Sequence, residues 1–170
     1  TNLSSVIKHG KKEGKLEKLA FTNDGIYGID EHGAFVYGKS TKFNTISSTD
    51  ETGKVTTVDL IEYIGERKVE DIAATGNAIA LVLDDGEIVV SGMKDPLPVL
   101  EEGEEAVAVS GGTRHFTMLT DKGRAYAWGQ NFRSQCNVPE ELQQEGVVDE
   151  VIASGFQNYA FKNGQYVGAW

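Results

Sequence analysis

The chain has 170 residues, a mass of 18.4 kDa and a net charge of −10, from 16 basic and 26 acidic side chains. Hydrophobic residues make up 39% and charged residues 25%, enough apolar surface for one packed domain and too little charge bias for a wholly disordered chain. A single Cys excludes an internal disulfide framework and a Cys-cluster zinc site, the acidity argues against a surface that coats nucleic acid, and no apolar run approaches the ~18 residues of a membrane-spanning helix.

The chain opens on a basic arm, residues 1–15. Residues 1–20 carry Lys8, Lys11, Lys12, Lys15 and Lys18 against Glu13 and Glu17, five minus two or +3, which leaves −13 on the remaining residues. A basic arm on an acidic body can dock on an acidic partner or on a second copy of the chain, so Lys8, Lys11, Lys12 and Lys15 are candidate partner-binding residues; an arm kept soluble by its charge is the equal alternative. Within it, TNLSSVI (1–7) has some strand character. GKKEGK (10–15) lacks the glycine spacing of a phosphate loop, and Leu16 stands where that loop needs Ser or Thr. No signal-peptide pattern is present, so cytoplasmic synthesis is expected, with a virion or other particle as a further destination.

From residue 16 onward the chain repeats itself. EKLAFTN (17–23), EDIAATG (70–76), EAVAVSG (105–111) and DEVIASG (149–155) align without gaps. Each is followed by a second apolar element, GIYGIDEHG (25–33), AIALVLDDG (78–86), HFTMLTDKG (115–123) or the shorter NYAFKNG (158–164), and then by a third: AFVYG, EIVVSG, RAYAWG or QYVGAW. The closing glycines Gly33, Gly86, Gly123 and Gly164 supply the positive φ that a tight hairpin turn requires. The unit is an antiparallel meander, and the fold class is all-β, with about four repeats at 16–68, 69–104, 105–147 and 148–170. Arg124, Tyr126 and Trp128 alternate with Ala125 and Ala127, large on one face and small on the other, which suits sheets that stack face to face. One three-stranded meander cannot bury both faces, so neighbours must cover one another.

Two segments break the pattern. In the insert 39–68, SSTDETGK (47–54) reads as an exposed loop and TVDLIEYIG (57–65) as a strand or a turn of helix. PEELQQEG (139–146) reads as one or two helical turns, with Pro139 at its start and Gly146 as its stop.

Residues 105–139, EAVAVSGGTRHFTMLTDKGRAYAWGQNFRSQCNVP, resemble a repeat of the regulator of chromosome condensation family. The resemblance rests on the Gly111-Gly112 pair, His115, the apolar run to Gly123, Ala127-Trp128-Gly129, Asn131, Gln135 and the Asn137-Val138-Pro139 exit. It is specific over 105–170 and weaker toward the N-terminus. It implies the blades of a β-propeller, with His115, Trp128, Trp170 and the four corner glycines in structural roles. It also implies that a terminus can complete a blade, a part that residues 1–7 could play. The chain departs from the family in having at most four repeats where about seven are usual, and in Ser134 where the family has Gly. A reduced ring, an open arc and a ring completed by other chains all remain open.

No catalytic constellation emerges. His9 lies in the arm, His32 in a turn and His115 at a strand start, each read as structural; H-E-x-x-H and G-x-S-x-G are absent. Asp84-Asp85, EEGEE (101–105) and Glu140-Glu141 lack the ligand spacing of a calcium loop and read as solvated faces. Cys136 has no neighbouring base and reads as a packed loop residue. No metal or cofactor is expected. Phe132 and Arg133, in the polar loop 129–137, have the chemistry of an interface anchor and are the second pair of candidate partner-binding residues. The expected function is a non-catalytic protein-interaction or structural module, for instance an assembly or decoration component of a phage or other particle. Its partner is a protein or a copy of itself, with no membrane and little nucleic-acid binding. The alternatives are a regulator of a small GTPase and an enzyme whose site forms between chains.

Overall fold

The computed structural model describes residues 14–38 and 41–170. Lys8, Lys11, Lys12, His9 and the candidate strand 1–7 lie outside the described residues.

Each repeat forms an antiparallel three-stranded meander. Sheet 1 holds β1 (Leu16–Phe21), β2 (Ile26–Asp30) and β3 (Phe35–Tyr37). A two-stranded hairpin follows, β4 (Thr45–Thr49) and β5 (Val55–Asp59), and then a short helix α1 (Leu60–Ile64). Sheet 2 holds β6 (Val69–Ala74), β7 (Ile79–Leu83) and β8 (Ile88–Ser91), and sheet 3 holds β9 (Ala106–Gly111), β10 (His115–Thr120) and β11 (Ala125–Gly129). A 3-10 turn, Glu140–Gln143, precedes sheet 4: β12 (Glu150–Ser154), β13 (Gln157–Lys162) and β14 (Gln165–Ala169).

The turns follow from their residues. Gly33, Gly86 and Gly123 have φ of 76°, 83° and 67°, and their N–H groups donate back to Asp30, Leu83 and Thr120 at 2.9–3.0 Å. That is a turn closed by one left-handed glycine. In sheet 4 both Asn163 (φ 52°) and Gly164 (φ 75°) are left-handed, the signature of a two-residue hairpin, and this accounts for the shorter fourth copy. The first three corners are also tight: a Cβ on Gly33 would lie 2.7 Å from Lys68 Cβ, one on Gly86 2.7 Å from Glu105 Cγ, and one on Gly123 2.8 Å from Gly146 Cα. In each case the neighbour belongs to the segment that enters the next sheet. At Gly164 nothing lies within 4 Å.

The insert differs from its sequence reading. Ser47–Thr49, read as loop, belong to β4, and only 50–54 turns. The β-branched and hydroxyl residues pair across the hairpin, Ser47 Oγ lying 2.8 Å from Thr57 Oγ1. Asp50 Oδ1 organises the turn by accepting from the N–H groups of Thr52 and Lys54. Residues 57–65 divide between strand and helix: Asp59 caps α1 by accepting from Ile61 N–H at 2.9 Å, and Gly65 (φ 63°) ends it. Arg67 fastens the helix to sheet 2 by bonding Asp85 at 2.9 Å, Glu87, and the carbonyls of Tyr63 and Ile64.

The sheets stack face to face in chain order, and each junction holds a core. Tyr27, Ile29 and Phe35 of sheet 1 meet Ile79, Leu81 and Leu83 of sheet 2, with Leu60 and Ile64 of α1 sealing the rim. Phe116, Met118 and Trp128 of sheet 3 press into Ala73, Ala78 and Ala80 of sheet 2, bulk into space left by small residues. A smaller core of Ala125, Leu142, Val148, Ala160 and Trp170 joins sheets 3 and 4.

The first strands of the sheets adjoin one another in the order β1, β6, β9, β12. Direct bonds stitch them together: Lys18 Nζ to Asp71 Oδ1 at 2.5 Å, Val109 N–H to Asp71 Oδ2 at 2.9 Å, and Ala153 N–H to Ser110 Oγ at 2.9 Å. At one end a staircase of backbone bonds climbs through the loops: Asn23 N–H to Gly76 C=O (2.8 Å), Gly76 N–H to Thr113 C=O (3.3 Å), and Thr113 N–H to Gly155 C=O (2.8 Å). The Gly111-Gly112 pair lies at the closest approach. A Cβ on Gly111 would sit 2.1 Å from Ala74 O of sheet 2, and one on Gly112 would sit 2.7 Å from Gly155 O of sheet 4.

Candidate protein-docking surface

The loop 129–137 is held rigid by its own side chains. Asn131 Oδ1 accepts from Cys136 N–H at 2.8 Å, Asn131 Nδ2 donates to Asn137 Oδ1 at 2.8 Å, and Gln135 Oε1 accepts from Arg133 N–H at 2.8 Å. Ser134 sits at φ 61°, a left-handed position that favours Gly. Asn131 and Gln135 are thus the frame of the loop, and Phe132 is left at its tip with 89% of its surface exposed. Arg133 is less free, because its guanidinium lies over the Phe156 ring at 4.8 Å.

Phe132 borders a cleft of about 410 Å³ shared with Met93, Lys94, Asp95, Arg114 and Asn131. These residues come from the link after β8, the β9–β10 loop and the loop after β11: pairing of β10 with β11 brings the last two together, and stacking of sheets 2 and 3 adds the first. Arg114, Lys94 and Asp95 are exposed. An aromatic anchor beside mixed charge can seat an apolar side chain of a partner within a polar rim. Lys15, the described member of the basic arm, is exposed at the start of β1, where its C=O accepts from Glu31 N–H at 2.7 Å. The cleft does not include it.

Among the described residues, Cys136 and His115 are engaged in packing and hydrogen bonds. Cys136 Sγ donates to Gln130 C=O at 3.3 Å, and burial, helped by Asp95, pushes its pKa up to about 11, so the thiol stays protonated. His115 is fully buried and its Nε2 lies 2.6 Å from Asn158 Oδ1. Asn158 Nδ2 donates to Gln135 C=O at 2.7 Å, so its Oδ1 is the acceptor and the His115 proton sits on Nε2. Burial lowers the His115 pKa, partly opposed by the Asn158 bond. His32 is exposed in the Gly33 turn, with its N–H donating to Asp30 Oδ1 at 2.9 Å.

The acidic run 101–105 differs from a uniformly solvated face. Glu104 is buried and accepts from Thr120 Oγ1 at 2.7 Å and Tyr126 OH at 2.8 Å, with Arg124 at 3.5 Å. Burial disfavours its charge, but these bonds outweigh it and hold the carboxyl below its ordinary value. Glu101 pairs with Arg124 at 2.9 Å. Alternation placed Arg124 and Tyr126 on one face but gave no sign of the carboxylate they hold.

The family description "Regulator of chromosome condensation (RCC1) repeat" matches residues 106–135. A curated relative, protein pim1 of Schizosaccharomyces pombe, is 40% identical over 42 residues, which cover 25% of this chain and 8% of pim1. Among solved structures, Prp20p of Saccharomyces cerevisiae is similar with a TM-score of 0.68 at 14% identity, over 95% of this chain and 45% of that one. The ectodomain of the Arabidopsis thaliana receptor kinase ACR4 is similar with a TM-score of 0.58 at 18% identity, over 93% of this chain and 50% of that one. Human WBSCR16 is similar with a TM-score of 0.59 at 20% identity, over 85% and 44%. The chain therefore spans half or less of these structures and a small part of pim1. The matched segment covers β9 through the loop that carries Phe132, and the sheets around it stack as in those propellers: residues 106–135 match a regulator of chromosome condensation repeat and lie within four β-propeller-like sheets.

Proposed function

We propose that this chain is a non-catalytic protein-interaction module that engages its partner through the loop face around Phe132. The observation that carries the reading is a large aromatic side chain, 89% exposed, on a loop that the side chains of Asn131 and Gln135 already hold in place. Such a residue loses little entropy on docking and removes much apolar surface from water. The protonated Cys136 and the buried His115 support a role without catalysis. Substituting Phe132→Ala should leave the melting temperature unchanged and weaken capture of the chain's partner from its source lysate by about thirty-fold, or about 2 kcal/mol. Equal capture by wild type and variant would sink the reading.

A second reading, regulation of a small GTPase, is favoured by one observation: the chain shares the fold of Prp20p, a protein described by its binding to Gsp1p and histones. A nucleotide-exchange assay separates the two readings. Acceleration by the chain supports the regulator, and partner binding with unchanged exchange supports the simpler module.

A further inference from the structure

The turns between the first and second strands of the four sheets share one build. Phe21 and Ile26 flank TNDG (22–25), Ala74 and Ile79 flank TGNA (75–78), Gly111 and Phe116 flank GTRH (112–115), and Ala153 and Asn158 flank SGFQ (154–157). The second residue of each turn, Asn23, Gly76, Thr113 or Gly155, belongs to the backbone staircase that joins sheet to sheet. The third is exposed every time and differs in chemistry: Asp24, Asn77, Arg114 and Phe156. The staircase therefore fixes Arg114 between the turns of sheets 2 and 4.

Arg114 and Phe156 both meet the loop that carries Phe132. Arg114 C=O accepts from Gln130 N–H at 3.0 Å, and Arg114 lines the cleft beside Phe132. Phe156, 38% exposed, lies under the Arg133 guanidinium at 4.8 Å. The chain's other two arginines are paired with carboxylates of the body, Arg67 with Asp85 and Glu87, and Arg124 with Glu101. Among the described residues Arg114 and Arg133 have no carboxylate partner, and both are exposed. A guanidinium laid on a ring is held in place and keeps its planar N–H edge for a group such as a carboxylate.

The charge here is opposite to that of the body. Lys94, Arg114 and Arg133 against Asp95 give three minus one, +2, so the remainder of the chain's −10 is −12. A cationic island with an apolar tip complements a segment in which carboxylates flank an apolar side chain. A nucleic-acid strand carries a charge at every residue, and so also over the acidic body around the island. An acidic segment needs carboxylates only where the two arginines stand. We propose that this surface binds an acidic segment of a partner protein, with its carboxylates on Arg114 and Arg133 and an apolar side chain against Phe132. This rests on the reading of the Phe132 face as a docking surface and names the chemistry of what docks there.

The test is a fluorescence titration of the whole chain with a labelled peptide in which a leucine is flanked by glutamates. Beside it stand a peptide with alanine for the leucine, a peptide with glutamine for each glutamate, and a labelled oligouridine. The glutamate–leucine peptide should saturate below about 1 mM at ~50 mM salt. Each peptide change, Arg114→Gln, Arg133→Gln and a rise to ~0.5 M salt should weaken binding at least about fivefold. Circular dichroism and melting of both variants should stay native-like. A variant that loses native dichroism is replaced by Arg114→Lys or Arg133→Lys, which lack the planar fork, and read in the same way. No saturation by the peptide, equal binding of the glutamine peptide, or tighter binding of the oligouridine overturns the proposal. Arginine variants that bind the peptide as wild type does overturn it too, and if Phe132→Ala still weakens binding, the Phe132 reading stands. Weakening by both arginine variants but not by Phe132→Ala overturns the Phe132 reading and leaves the acidic pairing.

Discussion

The junction between sheets 2 and 3 and the junction between sheets 3 and 4 share a strand geometry and differ in chemistry. In the first, Phe116 and Trp128 stack with ring centroids 5.3 Å apart and drive into a floor of alanines. In the second, fewer apolar side chains meet, and a buried polar chain runs from His115 through Asn158 to the Gln135 carbonyl. Apolar interdigitation supplies stability in proportion to the area removed from water. A buried hydrogen-bonded chain supplies little net energy but costs dearly when broken, so it penalises any misaligned sheet. The contrast teaches that the arc is held by bulk at one junction and aligned by polarity at the next.

Breaking the apolar junction should have the largest effect. Trp128→Ala removes the main insert into the alanine floor, and thermal or denaturant unfolding should show a loss of about 3–5 kcal/mol. Breaking the polar junction should cost less: Asn158→Ala leaves the His115 Nε2–H and the Gln135 carbonyl without their partner, for about 1–3 kcal/mol by the same measurement.

Proton linkage distinguishes the junctions further. The folded state holds the His115 pKa below its ordinary 6.5, so below that pH the unfolded chain binds the additional proton. Stability is complete above pH 6.5 and falls as the pH drops through the depressed native value, by at most about 1.4 kcal/mol per unit. Melting curves between about pH 7 and 5 should show this slope in wild type and in Trp128→Ala, and lose it in His115→Gln. The smallest expected effect is a gain. Ser134→Gly relieves a left-handed serine in the loop that supplies the Gln135 carbonyl, and should raise stability by up to about 1 kcal/mol.

Local signals carried much of the fold. The corners at Gly33, Gly86, Gly123 and Gly164 were legible because a tight turn needs positive φ at a residue that tolerates it, and that demand lies within a few residues of chain. The alternation through Arg124–Trp128 likewise showed which face of β11 would be bulky. The pairing of β4 with β5 is not legible in the sequence because their Ser and Thr residues are mostly exposed on both faces and leave no apolar period. Phe132 was legible as a loop aromatic. Its cleft partner Met93 was not, since it meets Phe132 only through the stacking of sheets 2 and 3, and Arg114 reaches the loop through the β10–β11 pairing. The His115–Asn158 pair, 43 residues apart, was hidden for the same reason. Arg133, read alongside Phe132 as an anchor, is exposed with its guanidinium over Phe156 of its own chain.

The Gly111-Gly112 pair has a consequence for shape. With no side chain at either position, Gly111 lies against the Ala74 carbonyl of sheet 2, and Gly112 against the His115 ring and the Gly155 carbonyl of sheet 4. A single methyl group at either position would push these segments apart. The absence of two carbon atoms thus permits the close approach of sheets 2, 3 and 4 at this end.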